Sequence, residues 1–114
     1  MKEELKHPKI IVEKSQHYRT IIVSGVFGGH RPGFFEAVIY TDELVADEAL
    51  EHPMPKANKI YIKRTVQCRL LMNPFQAKSF AQWLVNHIKE YEKEFGEIKL
   101  PKQPSTEKTP SYIA

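Results

Sequence analysis

The sequence contains few of the features that would assign a chemical role. A single cysteine, Cys68, among 114 residues excludes an internal disulfide and is typical of a protein in the reducing cytoplasm. No apolar run approaches the ~20 residues that a membrane-spanning helix needs. Residues 1–9 are charged and lack the apolar stretch of a secretion signal. We therefore expect a cytoplasmic protein that does not enter the membrane.

Sequence motifs for metals, cofactors and catalysis are also missing. The five histidines show no ligand spacing, such as a pair four residues apart on a helix, so we expect no metal site. The segment GGHRPG matches neither the dinucleotide-binding nor the P-loop pattern, so we expect no cofactor. Because no nucleophile–base pair or carboxylate dyad is visible, we predict that the protein is not an enzyme.

The clearest predicted element is a helix from residue 74 to residue 95. Asn73 is a favourable N-cap, Pro74 suits the first helical position, and Gly96 suits the residue after the last turn. Apolar residues recur between them at spacings of three and four, which places them on one stripe. We call the following six residues the apolar stripe: Ala77, Phe80, Leu84, Ile88, Tyr91 and Phe95. Such a stripe is typical of a helix that packs against a sheet.

The segments before this helix resemble strands. Residues 10–27, 34–41 and 60–72 are rich in β-branched and aromatic residues. The last of them alternates, which predicts an inward face of Ile60, Ile62, Val66, Cys68, Leu70 and Met72. For residues 42–51 the sequence leaves both a solvated loop and a short helical turn open, and we expect 52–59 to be a loop. The predicted fold class is α+β: an antiparallel sheet of three to four strands, in βββα order, with one long C-terminal helix packed on one face.

The chain is short enough for a single domain. Residues 1–9 are polar, and we predict a flexible N-terminal arm. Residues 10–99 form the predicted α+β domain. Residues 100–114 carry three prolines among polar residues, and we predict a disordered tail.

A family resemblance rests on the strand-to-helix junction, IKRTVQCRLLMNPFQAKSFAQWLVNHIKEYEKEFGEI. This stretch resembles a small family of uncharacterised bacterial and archaeal domains, in which a strand ends in an (Asn or Ser)-Pro step and the helix closes on a YExxFGxI-like motif. The segment YRTIIVSGVFGGHRPGFFEAVIYTDEL is similar to that family's first hairpin. The resemblance implies the βββα order and brings no catalytic residues.

The segment GGHRPG also contains the first candidate site. Gly28 and Gly29 could expose backbone N–H groups in a turn, and His30 and Arg31 would add donors for an anion or ligand. The alternative is an ordinary hairpin turn without a ligand.

The second candidate site lies on the predicted outward face of residues 60–72. Tyr61, Lys63 and Arg69 alternate there, and Arg19 could lie nearby. Basic and aromatic residues on an exposed sheet bind single-stranded nucleic acid in some domains. The net charge of +3 permits this role without requiring it.

Self-association is the leading functional hypothesis. One helix covers only one side of a sheet, and the other side would carry Phe34, Val38 and Tyr40, together with Ile21 and Val23. A monomer seldom leaves so much apolar surface exposed to water. We therefore predict a non-enzymatic homo-oligomeric binding or assembly module, most simply a homodimer that buries a sheet face or edge. Nucleic-acid binding is the alternative.

Overall fold

The computed structural model describes residues 7–54 and 56–101, and its elements form one antiparallel sheet followed by a long helix. In chain order the elements are β1 (Gly25–Arg31), β2 (Phe34–Val45), α1 (Asp47–Leu50), a 3-10 turn (Ala57–Lys59), β3 (Tyr61–Met72) and α2 (Pro74–Phe95). The strands pair in the order β1-β2-β3. The predicted α+β class and βββα order are confirmed. The predicted tail lies outside the described residues from residue 102 onward, and the first six residues of the predicted arm do as well.

Helix α2 has the bounds and the caps that its sequence predicts. The Asn73 side chain accepts a hydrogen bond from the backbone N–H of Gln76 at 2.7 Å, and Pro74 occupies the first turn. At the other end, the N–H of Gly96 donates to the carbonyl of Glu92 at 2.9 Å. Gly96 has a φ of 102°, which glycine adopts without steric cost.

The hairpin between β1 and β2 turns later than the sequence analysis predicted. Gly28 to Arg31 belong to β1 and pair with residues 37 to 34 of β2, so the two-residue turn is Pro32–Gly33. Gly33 has a φ of 92°, which suits the third position of a type II turn after proline. The predicted turn over the whole of GGHRPG was wrong because its first four residues continue the strand ladder.

Gly28 supports a prediction about the hairpin. Its φ is 153°, and a Cβ there would collide with the carbonyl oxygen of Glu36 on β2. We expect Gly28→Ala to lower the free energy of unfolding by about 2 kcal/mol, because backbone strain and the collision add. Urea unfolding followed by circular dichroism measures the loss. Gly33→Ala is the control, since it also has a positive φ but open space around it. An equal loss in both variants would show that the collision contributes nothing.

Strand β3 contains a bulge at Gln67. Ile39 of β2 pairs with Cys68 and the next residue, Tyr40, pairs with Val66, so Gln67 has no opposite residue. An extra residue on one strand reverses the alternation of side chains beyond it. The predicted inward face of β3 was therefore wrong: Cys68, Leu70 and Met72 lie on one face of the sheet, whereas Ile62 and Val66 lie on the other. Ile60 precedes the strand.

The register defines two sheet faces, because residues directly opposite on paired strands share a face. The Ile39 face carries Phe35, Ala37, Ile39, Thr41, Glu43 and Val45 of β2 and their partners. The Tyr40 face carries Phe34, Glu36, Val38, Tyr40, Asp42 and Leu44 of β2 and their partners.

Residues 10–24 form no strand, so the predicted strand begins only at Gly25, and residues 19–22 cross the Ile39 face. The hydroxyl of Thr41 donates to the carbonyl of Ile22 at 2.6 Å, and the side chain of Gln67 donates to Thr41 Oγ1 at 3.1 Å. The guanidinium of Arg19 donates to the carbonyl of Gln67 at 2.6 Å. These contacts hold the segment across the sheet, and it does not extend β1.

Helix α2 does not pack across the sheet as the sequence analysis predicted. Its residues include no buried side chain, and the middle of its apolar stripe, Leu84, is 44% exposed. Only Asn73 separates β3 from α2, and its backbone is extended at φ −71° and ψ 164°. Strand-to-helix loops that reverse the chain usually have two to six residues. This short connection agrees with the exposure of the stripe: α2 meets the sheet beside Phe35 of β2, and the middle and end of its apolar stripe remain exposed.

Candidate functional site

The apolar stripe of α2 is the most distinctive surface of the described chain. All its side chains except that of Ala77, which is half-buried, are exposed, and the exposed fraction reaches 67% at Phe95. The rings of Tyr91 and Phe95 lie 4.9 Å apart, and Trp83 packs between Phe80 and His87 on the flank of the stripe. The described chain thus leaves the stripe from Phe80 to Phe95 open to a partner. Sequence reasoning identified these residues but assigned them to an internal core.

A cavity lies beside the first two turns of α2. Its volume is about 500 Å³, and its lining consists of Phe35, Pro74, Ala77, Lys78 and Ala81. Four of these five residues are apolar, and the two alanines leave room that larger side chains would fill. Phe35 comes from the start of β2, so the cavity joins the Ile39 face to the N-terminal end of α2. No signal in the sequence predicted this cavity, because it depends on the position of α2 relative to β2.

The Tyr40 face carries a cluster of polar contacts around Arg64. Its guanidinium donates to both carboxylate oxygens of Asp42, at 2.8 and 3.0 Å, and stacks 4.1 Å from the centre of the Tyr40 ring. The hydrogen bond from Arg64 lowers the pKa of the Asp42 carboxyl, and the same contact raises the pKa of Arg64. The Tyr40 ring in turn lies against Gly25, where a larger residue would collide with it. The cluster therefore fixes the end of the β1–β2 pair.

This cluster predicts a pH-dependent contribution to stability. A carboxyl whose pKa is lower in the folded chain contributes stability above its unfolded pKa and loses it as the pH falls through its folded pKa. We expect Asp42→Asn to lower the melting temperature by about 1 °C at pH 7, a small effect because the pair is exposed. The difference should shrink as the pH falls through the lowered pKa of Asp42. Glu43→Gln, on the Ile39 face, is the control for loss of a charge. A difference that stays constant as the pH falls through the acid range would contradict the assignment.

Apolar side chains surround this cluster on the Tyr40 face. Exposed members include Phe34, Leu44, Ile62, Val66 and Leu71. Glu36 lies among them and contacts Arg69 at 3.3 Å and Arg31 at 3.9 Å. This face is therefore a second open apolar surface, with its charges paired within the chain.

A groove of about 830 Å³ lies on the opposite face, between residues 16–21 and the bulge of β3. His17, Tyr18 and Cys68 line it together with Arg19 and Gln67, and Cys68 is half-buried. The polar groups of Arg19 and Gln67 are used in the contacts that hold the crossing segment to the sheet. The groove thus belongs to the attachment of that segment.

The predicted anion site is not brought together by the fold. Gly28 and Gly29 are paired within β1, so their backbone groups do not form an exposed turn. His30 lies on the Ile39 face with its ring 6.2 Å from Phe35, whereas Arg31 lies on the Tyr40 face beside Glu36. These four residues therefore do not form the exposed turn that the predicted anion site requires.

The predicted nucleic-acid surface is divided between the two faces. Tyr61 and Lys63 pair with Val45 and Glu43 on the Ile39 face, whereas the bulge places Arg69 on the Tyr40 face. Arg19 also lies over the Ile39 face, with its guanidinium on the Gln67 carbonyl. These four residues therefore share no single surface, and nucleic-acid binding stays a prediction.

Within residues 7–54 and 56–101, no group of three or more His, Cys, Asp or Glu side chains could hold a metal ion. No helix in the same part of the chain is long and apolar enough to cross a membrane.

Residues 50–100, just under half of the chain, match the model of one protein family. The match includes β3 and α2, whereas β1 and β2 lie outside it, so the hairpin part of the resemblance stays a prediction. No curated protein and no solved structure matches the chain. The matched family is described as "Protein of unknown function (DUF3467)", which confirms the resemblance to an uncharacterised domain family across the strand-to-helix half of the chain.

Proposed function

We propose that this chain is a homo-oligomeric assembly module without a catalytic role. The observation that carries the proposal is the exposure of the apolar stripe along the full length of α2. Exposed apolar patches of this extent on folded proteins are typical of interaction surfaces. The short connection at Asn73 keeps the chain's own sheet away from most of the stripe. A second chain is therefore the partner that we propose to bury the stripe.

The distribution of buried residues supports the same proposal. Among the described residues, the buried apolar side chains are those of Ile39 and Ala49. Conformational entropy opposes folding by roughly 1–2 kcal/mol for each ordered residue, and buried apolar surface must offset most of it. In the described part of the chain, these two side chains and the half-buried ones of the sheet leave most of the large apolar side chains exposed. Association would supply the missing core, as in obligate oligomers whose interfaces resemble a divided domain core.

A second copy is favoured over an unrelated partner because the chain offers two open apolar surfaces of its own. The apolar stripe and the Tyr40 face could each be covered in a symmetric assembly, the common arrangement of soluble oligomers. The single cysteine also favours assembly in the reducing cytoplasm, where no interchain disulfide is needed.

Sedimentation equilibrium tests the proposal at protein concentrations from about 1 to 50 μM, a range in which obligate oligomers remain associated. We expect a mass of two chains or a larger whole number of chains. A monomer throughout this range would overturn the proposed function.

A further inference from the structure

The spacing within α2 identifies the surface that meets the second copy, an inference that rests on the proposed assembly. Six residues follow one another at intervals of four, three, four, three and four, the repeat of a coiled-coil seam. They are Ala77, Ala81, Leu84, Ile88, Tyr91 and Phe95. We propose that α2 pairs along this seam with α2 of a second copy, in the antiparallel direction.

The gradient of side-chain size selects the antiparallel direction. The seam begins with two alanines and ends with two aromatic residues. A two-fold axis at the level of Asn86 places Ala77 opposite Phe95 of the second copy, and Ala81 opposite its Tyr91. Leu84 then faces the second copy's Ile88, so every layer has a similar total volume. Parallel pairing would place alanine against alanine and Phe95 against Phe95, which gives a gap at one end and crowding at the other.

The cavity beside the two alanines fits this arrangement. In the antiparallel pair, Tyr91 and Phe95 of the second copy reach the cavity of about 500 Å³ that Phe35 closes on its far side. These two rings are already packed against each other, with centroids 4.9 Å apart, so they can enter as one unit. By symmetry the same insertion occurs twice. The two rings would thereby fill a largely apolar cavity that is open in one chain.

Charges on the flank of the seam agree with the same direction. On the flank formed by Lys78, Val85 and Glu92, facing positions are offset by two residues from the seam layers, so Lys78 lies beside Glu92 of the second copy, again twice by symmetry, and Val85 meets its own counterpart near the axis. The carboxylate of Glu92 is held by a hydrogen bond from the N–H of Ile98 at 2.9 Å. In a parallel pair, residues 14 positions apart would be separated by ~21 Å along the helix axis and could not attract each other.

A charge exchange tests the pairing at low salt. Lys78→Glu and Glu92→Lys should each raise the dimer dissociation constant roughly tenfold, because two attractive contacts become repulsive. The double variant, and an equimolar mixture of the two single variants, should return to within about twofold of the wild type. Lys89→Glu, away from the seam, is the matched control and should change the constant less than about twofold.

The outcomes separate this inference from the proposed function. A monomeric wild-type chain would overturn both. A wild-type oligomer whose single variants bind unchanged, or whose double variant and mixture fail to recover, would overturn the antiparallel pairing and leave assembly standing. Far-ultraviolet circular dichroism confirms that each variant retains its helix. If one single variant does not fold, the double variant decides: recovery supports the pairing, and failure contradicts it.

Discussion

Replacing Leu84 with glutamate is expected to convert the oligomer into monomers at micromolar concentration. Leu84 lies at the middle of the apolar stripe, and 44% of its surface is exposed within one chain. In the proposed assembly this surface is buried, and by symmetry the substitution buries two unpaired carboxylates. Burial of an unpaired charge costs several kcal/mol, so the dissociation constant should rise at least ~100-fold. Sedimentation equilibrium of the wild-type protein and of the Leu84→Glu variant measures the change in the dissociation constant.

The matched control for this variant is Gln82→Glu. Gln82 lies two residues from Leu84 on the same helix and outside the stripe, and its substitution introduces the same glutamate side chain. Its effect on the dissociation constant should stay within about twofold. If Leu84→Glu leaves the mass of the oligomer unchanged, α2 is not the interface, and the Tyr40 face becomes the surface to test.

The sequence allowed the bounds of α2 to be predicted because the signals are local. Asn73 caps the first turn, Pro74 starts it, and Gly96 ends the helix with a positive φ, each through contacts within a few residues. The packing of α2 is not local. A periodic stripe predicts that something covers the helix, and it does not say whether the cover is the same chain or another.

Two errors in the sheet have a common cause. The bulge at Gln67 inserts one residue without any glycine or proline to mark it, so alternation along β3 was continued across a point where it reverses. In the hairpin, Gly28 and Gly29 suggested a turn, but the glycine at position 28 is needed for a close approach to Glu36. Glycine serves both purposes, and one sequence cannot distinguish them.

The candidate sites depended on these errors. His30 and Arg31 were expected to converge in a turn, and Lys63 and Arg69 on one face; the strand ladder and the bulge separate both pairs. The apolar stripe was predicted to pack on the chain's own sheet, and the structure leaves most of it exposed; its burial by a second chain stays a prediction. The predicted bounds already left Asn73 alone between strand and helix, but they did not give the direction in which α2 leaves β3, so the exposure of the stripe could not be predicted.

The small core has a further consequence for the stability of the sheet. Among residues 7–54 and 56–101, the two buried apolar side chains belong to different elements: Ile39 to β2 and Ala49 to the short helix α1. The contacts that tie residues 19–24 to the sheet are hydrogen bonds on exposed surface, which contribute little net stability. In the proposed assembly, association would supply much of the apolar burial that folding requires.

Folding and association should consequently be one transition, with a melting temperature that rises with protein concentration. For a dimer that dissociates as it unfolds, a 100-fold increase in concentration adds ~2.7 kcal/mol to its stability. For two chains of this length, we expect the melting temperature to rise by about 5–10 °C. Circular dichroism at 1 and 100 μM measures the shift.

The Leu84→Glu variant provides the second half of this test. Because it removes association, its melting curve should be broad, lie at least ~15 °C below that of the wild type and not depend on concentration. Gln82→Glu should retain the wild-type concentration dependence. A wild-type melting temperature that is equal at both concentrations, with a sharp cooperative transition, would mean that one chain folds by itself. The exposed stripe would then be a docking surface on a stable monomer, and it would not form part of a core shared between two chains.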